Sequence, residues 1–515
     1  MPPPTTEWLA EQYHSGQFRL QEAHYDVLTD REHEALSNGF NSLATQASGE
    51  LRLTRTGIVK RIQSQLPRGF PSIFADLVYR ILAYHSTAPF YKAPSTPLPE
   101  SLSLEDTQRA LAWLLPDRHV LMATIGNHGR TRTRADQRRL LFQSLATCSV
   151  SKEDPAESAD EDARRRYAHR NAFDVKHDED YARVNRDDDG DEMYHDLLDV
   201  LQRNVPDNHP YGTTRDDLRP LAKELKADFA FHELGIDRRE MEKFSRALLA
   251  LQFETAQTSL KDTDLDYMGD VEACVQATFS TSAGEVGEDV HIAFSDLIAW
   301  PAFDQGLKQM PHLFDPVYRV LNNVLLNGEV DSETIPPVYG IPPELPGQEH
   351  SHVLNDRLIA LAPAVLPPLV DWDSLHTVVP WCRDPPEFPS SDTLWTHLRH
   401  AAPSPDAEPP TTILTFTGRI RGSEGASFTG GVLSAADYDA NDGREQIYSV
   451  YVFQLEPVVH CKKLVGQEWR RGPSGELVFD GASLADWRMD VEARVVGMEG
   501  DTVVELEGLE VWRDG

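Results

Sequence analysis

The 515-residue sequence holds only four cysteines, Cys148, Cys274, Cys382 and Cys461, and no two of them stand in a CxxC spacing. That scattering excludes a disulfide framework and a cysteine-built zinc site, and it fits reduced thiols. No stretch approaches the roughly eighteen consecutive apolar residues that a membrane-spanning helix needs. The start, Met1-Pro2-Pro3-Pro4-Thr5, lacks the cationic and apolar regions of a secretory signal, and Pro2 stands where N-myristoylation needs glycine. These absences lead us to expect a soluble, cytoplasmic protein with no integral membrane segment, peripheral at a membrane only through its partners. Basic residues are scarce as well: 49 Lys+Arg face 83 Asp+Glu, a formal net charge of −34. A chain that negative is repelled by phosphate backbones and anionic lipid, which argues against nucleic acid as a partner.

The spacings that announce chemistry are also missing. There is no GxSxG elbow, no GxxxxGK[ST] phosphate loop and no GxGxxG, and His232-Glu233 lacks the second histidine of a zinc-binding HExxH. The 19 histidines are dispersed, and with 83 acids no carboxylate pair can be singled out for acid–base work. No catalytic and no cofactor-binding residue is therefore assigned, and the chain reads as a non-enzyme.

One metal-type spacing stands out. Asn185, Asp187, Asp189, Gly190, Asp191 and Asp196 fall at positions 1, 3, 5, 6, 7 and 12 of an EF-hand loop, where oxygens wrap a calcium and glycine permits the sharp turn. Leu197 and Leu198 follow, as an exiting helix requires. Calcium is thus the one candidate cofactor, with Asn185, Asp187, Asp189, Asp191 and Asp196 as its candidate ligands. Asn at position 1, Glu192 at position 8 and the shorter Asp196 at position 12 keep open the alternative of an acidic run inside a linker. Ser48-Gly49-Glu50-Leu51 has the glycine and apolar position of such a loop, but Ala44, Gln46 and Arg55 take ligand positions, so the shape is expected without the metal. Arg130, Arg132, Arg134, Arg138 and Arg139 crowd together as an anion or acidic-partner site, or as partners of the acidic stretch that follows.

Length alone gives a prior of roughly two to four domains. At 40% hydrophobic and 26% charged the whole is globular in composition, so boundaries come from uneven spread. Residues 1–150 read as helical and degenerate EF-hand-like: Thr29 and Glu32 form a capping box before Leu36, Phe40 and Leu43, and a helix follows Ser103 with Leu111, Leu114 and Leu115. Residues 151–220 are an acidic, largely disordered linker carrying the loop at 185–196. Residues 221–335 are helical again, with a cap at Asp237 before Met241, Phe244, Leu248 and Leu251. A further cap, Asp315-Pro316, precedes Val317, Leu321, Val324 and Leu325 and a stop at Asn327-Gly328. Prolines stiffen a connector over 336–350. From 351 to 515 the period changes to 2: Ile413 to Thr417, Ile447 to Leu455, an unbroken alternation from Trp487 to Val495, and Thr502 to Trp512 read as strands of an antiparallel sheet with one wet face.

Thr411-Thr412-Ile413-Leu414-Thr415-Phe416, Ser427-Phe428-Thr429-Gly430-Gly431, Val450-Tyr451-Val452-Phe453-Gln454-Leu455-Glu456-Pro457 and Leu509-Glu510-Val511-Trp512 stand in the order of the opening, second, "LFxLxP" and closing "EVW" strands of the TLDc family. The last third of the chain resembles that domain. Leu358 to Leu369, Trp381 and Ser391 to Leu398 are similar to its leading helices and their "W…S…L" pattern. Arg513 follows Trp512 where the family has glycine. A degenerate EF-hand-like helical region ahead of TLDc resembles the arrangement of the fungal restriction-of-telomere-capping type and of the lysosomal mTOR-associated TLDc type. The resemblance implies an α+β multidomain fold: a helical EF-hand-like N-terminal half, then a C-terminal two-sheet antiparallel β-sandwich with flanking helices. It also implies a non-enzymatic adaptor or regulator that binds protein partners, the vacuolar proton-pumping ATPase among them, in oxidation resistance and stress or TOR-linked signalling, at the vacuole or lysosome. The rival readings are a calcium-responsive EF-hand protein with a β-sandwich effector domain and a hydrolase built on a β-sandwich.

Overall fold

The computed structural model is mixed α+β with antiparallel sheets. It describes residues 27–47, 49–66, 70–90, 97–116, 118, 134–149, 195–203, 215–225, 234–252, 297–328, 364–365, 375–382, 389–390, 392–394, 411–422, 427–438, 446–456, 460–465, 470–471, 477–480, 486–490, 495–497 and 503–514. The chain forms two units. A helical unit takes Met1–Phe244, His291–Gln305 and Asp315–Pro336, and a sheet unit takes Ser245–Val290, Gly306–Phe314 and Pro337–Gly515.

In the helical unit, α1 (Asp30–Leu43) begins at its capping box: Thr29 Oγ1 accepts the Glu32 N–H at 3.3 Å and the Glu32 carboxylate accepts the Thr29 N–H at 2.7 Å. Two donors that a helix start leaves orphaned are thereby satisfied, and Leu36 and Phe40 turn inward. Strands β1 (Thr45–Ala47) and β2 (Glu50–Thr54) form a hairpin around Gly49, whose φ of 91° favours glycine. Helix α2 (Arg55–Gln65) follows at once, capped by Thr54. Helix α3 (Ser72–His85), β3 (Ser101–Leu102) and α4 (Leu104–Leu114) repeat the helix–strand–helix order, with Ser103 and Asp106 as a second reciprocal cap.

The two repeats join where Leu53 of β2 faces Leu102 of β3, both fully buried. The apolar position expected at Leu51 therefore lies two residues later. Leu51 instead faces Gln46 across the hairpin and is 46% exposed.

Helix α5 (Arg134–Leu145) leads into β4 (Cys148–Ser149), which pairs with β5 (Leu234–Asp237), and β5 pairs with β6 (Leu297–Ala299). Helix α8 (Arg238–Gln252) follows β5 with its start capped by Asp237, whose Oδ1 accepts the Glu240 N–H at 2.9 Å. Between β4 and β5 lie α6 (His195–Arg203) and α7 (Arg215–Leu225). These helices stand where the sequence led us to expect disordered linker, because Leu197, Leu198, Leu201, Leu218, Leu221 and Ala222 close a buried cluster of their own. Helix α9 (Trp300–Gln309) follows β6, and α10 (Asp315–Leu325) buries Val317, Leu321, Val324 and Leu325 as its stripe predicts. It ends at Asn327 and Gly328, both at positive φ, the Gly328 N–H returning to Asn322 O at 3.2 Å. At Gly39 the backbones of α1 and α10 nearly touch: a Cβ there would lie 2.2 Å from Leu325 O.

The sheet unit contains β7 (Leu375–Cys382), β8 (Thr412–Ile420), β9 (Ser427–Tyr438), β10 (Gln446–Glu456), β11 (His460–Val465), β12 (Arg470–Arg471), β13 (Leu477–Asp480), β14 (Asp486–Asp490), β15 (Val495–Gly497) and β16 (Val503–Asp514). Ten strands share one hydrogen-bonded network in the order β11-β10-β9-β8-β16-β15-β14-β13-β12, with β7 also on β16. All ten strands are linked through β16. One of its edges runs along β8 throughout, while the other is divided between β15 at residues 503–505 and β7 at residues 509–514.

Two further expectations change. Trp487 to Val495 is not one strand, because Met489 faces Val496 in an antiparallel pair and the chain must reverse between Asp490 and Val495. On β16 the wet face is limited to the first half, where Glu505 and Glu507 are exposed, whereas 508–512 are buried on both faces. Trp381 lies on β7, and the connector at 336–350 is outside the described residues.

Candidate functional site

Of the candidate calcium ligands, Asn185, Asp187, Asp189 and Asp191 lie outside the described residues, and Asp196 is described. Asp196 sits in the first turn of α6, fully buried, with both carboxylate oxygens accepting from Arg139 Nη2 at 2.8 Å. Arg139 also donates to Gln143 Oε1 at 3.2 Å. Among the described residues no cluster of three or more His, Cys, Asp or Glu is placed to hold a metal.

The arginine cluster likewise turns inward. Arg138 Nε meets Asp304 at 2.8 Å, so Arg138 and Arg139 both engage carboxylates of this same chain rather than facing outward as an anion site. Arg130 and Arg132 lie outside the described residues, and Arg134 is exposed.

The Arg139–Asp196 pair belongs to a wider pattern at helix starts. Glu32 of the α1 cap receives Arg118 at 2.8 Å, Asp106 of the α4 cap receives Arg52 at 3.5 Å, and Glu240 in the first turn of α8 receives Arg80 at 3.3 Å. Glu32 and Asp106 stand three residues past their caps, the interval that separates positions 9 and 12 of a calcium loop. Glu240 stands three past Asp237. Guanidinium groups thus meet these carboxylates in each case, and a planar donor fork suits the task better than a lysine would. Arg52 reaches across the paired repeats, with Nε on Ser101 Oγ at 3.0 Å.

The helical unit also holds a cleft of about 400 Å³. One wall is a stripe of α3, where Ile73, Asp76, Leu77, Arg80 and Tyr84 recur at helical spacing. The facing wall is the extended stretch 97–100, tied down by the Arg55 N–H on Glu100 O at 2.9 Å and by Tyr79, whose hydroxyl donates to Pro99 O at 2.7 Å. Burial, and then the charge of Glu100, push the Tyr79 phenol well above its usual range. The floor is the C-terminal end of α5 through Thr147, and Glu240 closes the far end.

Charge at this cleft is ordered. Arg55 spans Asp76 at 3.1 Å and Glu100 at 3.7 Å, while Arg80 places Nη1 on Glu240 and Nη2 on Leu145 O. Sequence reading missed the cleft because its lining comes from five separated segments. The one local signal is a pair of charges, Asp76 and Arg80, inside the otherwise apolar α3.

On the sheet, the Gly430-Gly431 pair has a steric cause. Strand β9 is flanked on both sides, and a Cβ on Gly431 would lie 2.2 Å from Leu414 O. Phe428 leans across Gly430 to stack on Phe416, with ring centroids 5.5 Å apart and planes at 15°. Glu510 is fully buried on β16, accepting from Thr415 Oγ1 at 3.2 Å, and Trp512 is a buried core residue. His85 is a hydrogen-bonded core histidine, its Nδ1 2.7 Å from Ile81 O. No protein-family model and no curated protein matches the chain.

Proposed function

We propose that this protein is a non-enzymatic adaptor or regulator of the TLDc type that acts by stoichiometric binding to a protein partner. The partner the resemblance implies is the vacuolar proton-pumping ATPase, met at the cytoplasmic face of the vacuole or lysosome. One observation carries this reading: the four stretches that resemble TLDc strands, separate in sequence, lie on four adjacent strands, β10, β9, β8 and β16. Gly430-Gly431 and the Phe416–Phe428 stack then have a shared role in bringing β8, β9 and β10 close together. The paired helix–strand–helix repeats ahead of the sheet are in keeping with a degenerate EF-hand-like region.

Binding should draw on charge, since a −34 chain favours a basic or mixed-charge partner. Affinity purification of the intact protein from its native cell should recover ATPase subunits at low salt. Failure to retain any subunit removes the named partner, and turnover of a small substrate refutes the non-enzymatic reading.

A further inference from the structure

The cleft on α3 combines apolar walls with an excess of negative charge at its rim. Ile73, Leu77, Pro97, Leu98 and Pro99 supply the walls. Three carboxylates, Asp76, Glu100 and Glu240, face two guanidinium groups, Arg55 and Arg80. The floor adds the C-terminal end of α5, which carries the negative pole of the helix dipole. Arg80 shows how this end receives a guanidinium, one nitrogen on Glu240 and another on the Leu145 carbonyl. Asp76 and Glu100 are the more exposed carboxylates, 42% and 79%, and lie toward solvent within reach of an incoming cation.

We propose that this cleft docks an arginine side chain presented by a basic segment of a partner protein. The methylene stem lies along Ile73, Leu77 and the 97–99 wall, and the guanidinium completes the charge balance among Asp76, Glu100 and Glu240. Arginine suits both requirements because its stem is apolar and its planar head can share two carboxylates. The cavity is of the size that small-ligand sites use, about 300 to 1,000 Å³. The proposal rests on the reading that this protein works by binding proteins, but not on the TLDc resemblance, since every residue involved belongs to the helical unit.

The test is saturation-transfer NMR of the intact chain with the probe peptide acetyl-Leu-Arg-Leu-amide, against the same peptide carrying citrulline, a neutral isostere, in place of arginine. Transfer to the arginine side chain is expected, with the citrulline peptide about tenfold weaker. Thr147→Trp and Ile73→Trp, which fill the cleft from two sides, should abolish transfer while the melting curve stays cooperative. Glu100→Gln, at an exposed rim position that leaves the core untouched, should weaken binding about threefold. Equal binding of the two peptides overturns the proposal, as does undiminished binding in Glu100→Gln or in a folded cleft-filling variant. Loss of ATPase capture with peptide binding intact would instead count against the TLDc-type reading alone.

Discussion

The two units place their charge differently. In the helical unit, arginines reach inward to carboxylates on helices, in the first turn for Asp196 and Glu32 and mid-helix for Asp304, and the pairs with Arg139, Arg118 and Arg138 are buried or nearly so. In the sheet unit the described ion pairs, Arg419 with Glu507 and Arg421 with Glu505, lie at the surface beside long backbone ladders. The helices are positioned by specific charged contacts between separate segments. The strands are positioned by register and by close backbone approach at glycine. A lesion in the buried pairs of the helical unit should therefore be severe and one in these surface pairs of the sheet unit nearly silent, with close backbone approach making the sheet sensitive to steric lesions.

The largest effect should come from Arg139→Ala, which strands the buried Asp196 carboxylate and should cost about 3–5 kcal/mol. A shift in the denaturation midpoint of the helical unit measures it, and a cost below about 1 kcal/mol would break the contrast between units. Next is Gly431→Ala, whose added methyl meets the Leu414 carbonyl; about 1–3 kcal/mol is expected. Thermal melting checks that figure, and an unchanged melting temperature would mean that β8 and β9 can part at no cost.

The alkaline limb of stability gives a third comparison. Burial raises the phenols of Tyr79, Tyr84 and Tyr318 above the usual 10; the Glu100 and Asp315 charges add to it at Tyr79 and Tyr318, while at Tyr84 the Arg139 charge opposes it. These groups hold their protons in the folded chain while the unfolded chain ionises near pH 10, so their contribution is complete below that pH and lost above it. All three sit in the helical unit, which should therefore weaken as pH rises past 10, and Tyr79→Phe should flatten the fall. The pH dependence of the denaturation midpoint reads this out. The smallest effect is Arg419→Ala: its pair with Glu507 is 2.6 Å long but 74% and 47% exposed, and the change should stay within about 1 kcal/mol.

What the sequence revealed follows from how local each cause is. The caps at Thr29, Ser103 and Asp237 were legible because a cap and its acid lie within one turn, whereas Asp315, expected as a cap, is the first residue of its helix. Strands β8, β10 and β16 were legible from period and composition. The reversal between Asp490 and Val495 was not, since Val491-Glu492-Ala493-Arg494 contains no turn-forming residue and continues the alternation. The acidic stretch hid α7, and showed α6 only as the exit of a calcium loop, because each is short and buries its leucines mainly against the other. The ion pairs were beyond reach, as Arg139 and Asp196 are 57 residues apart and Arg118 and Glu32 are 86 apart. The cleft fails for the same reason: the three carboxylates at its rim come from α3, from 97–100 and from α8.

The most direct test of the binding account is retention of ATPase subunits by the intact, immobilised protein under four conditions: calcium or chelator, each at low and at high salt. An adaptor that recruits its partner through charge, with Asp196 held by Arg139, should retain subunits at low salt and lose most of them at high salt. Chelation should make no difference. Retention that depends on calcium, or no retention in any condition, would contradict the account.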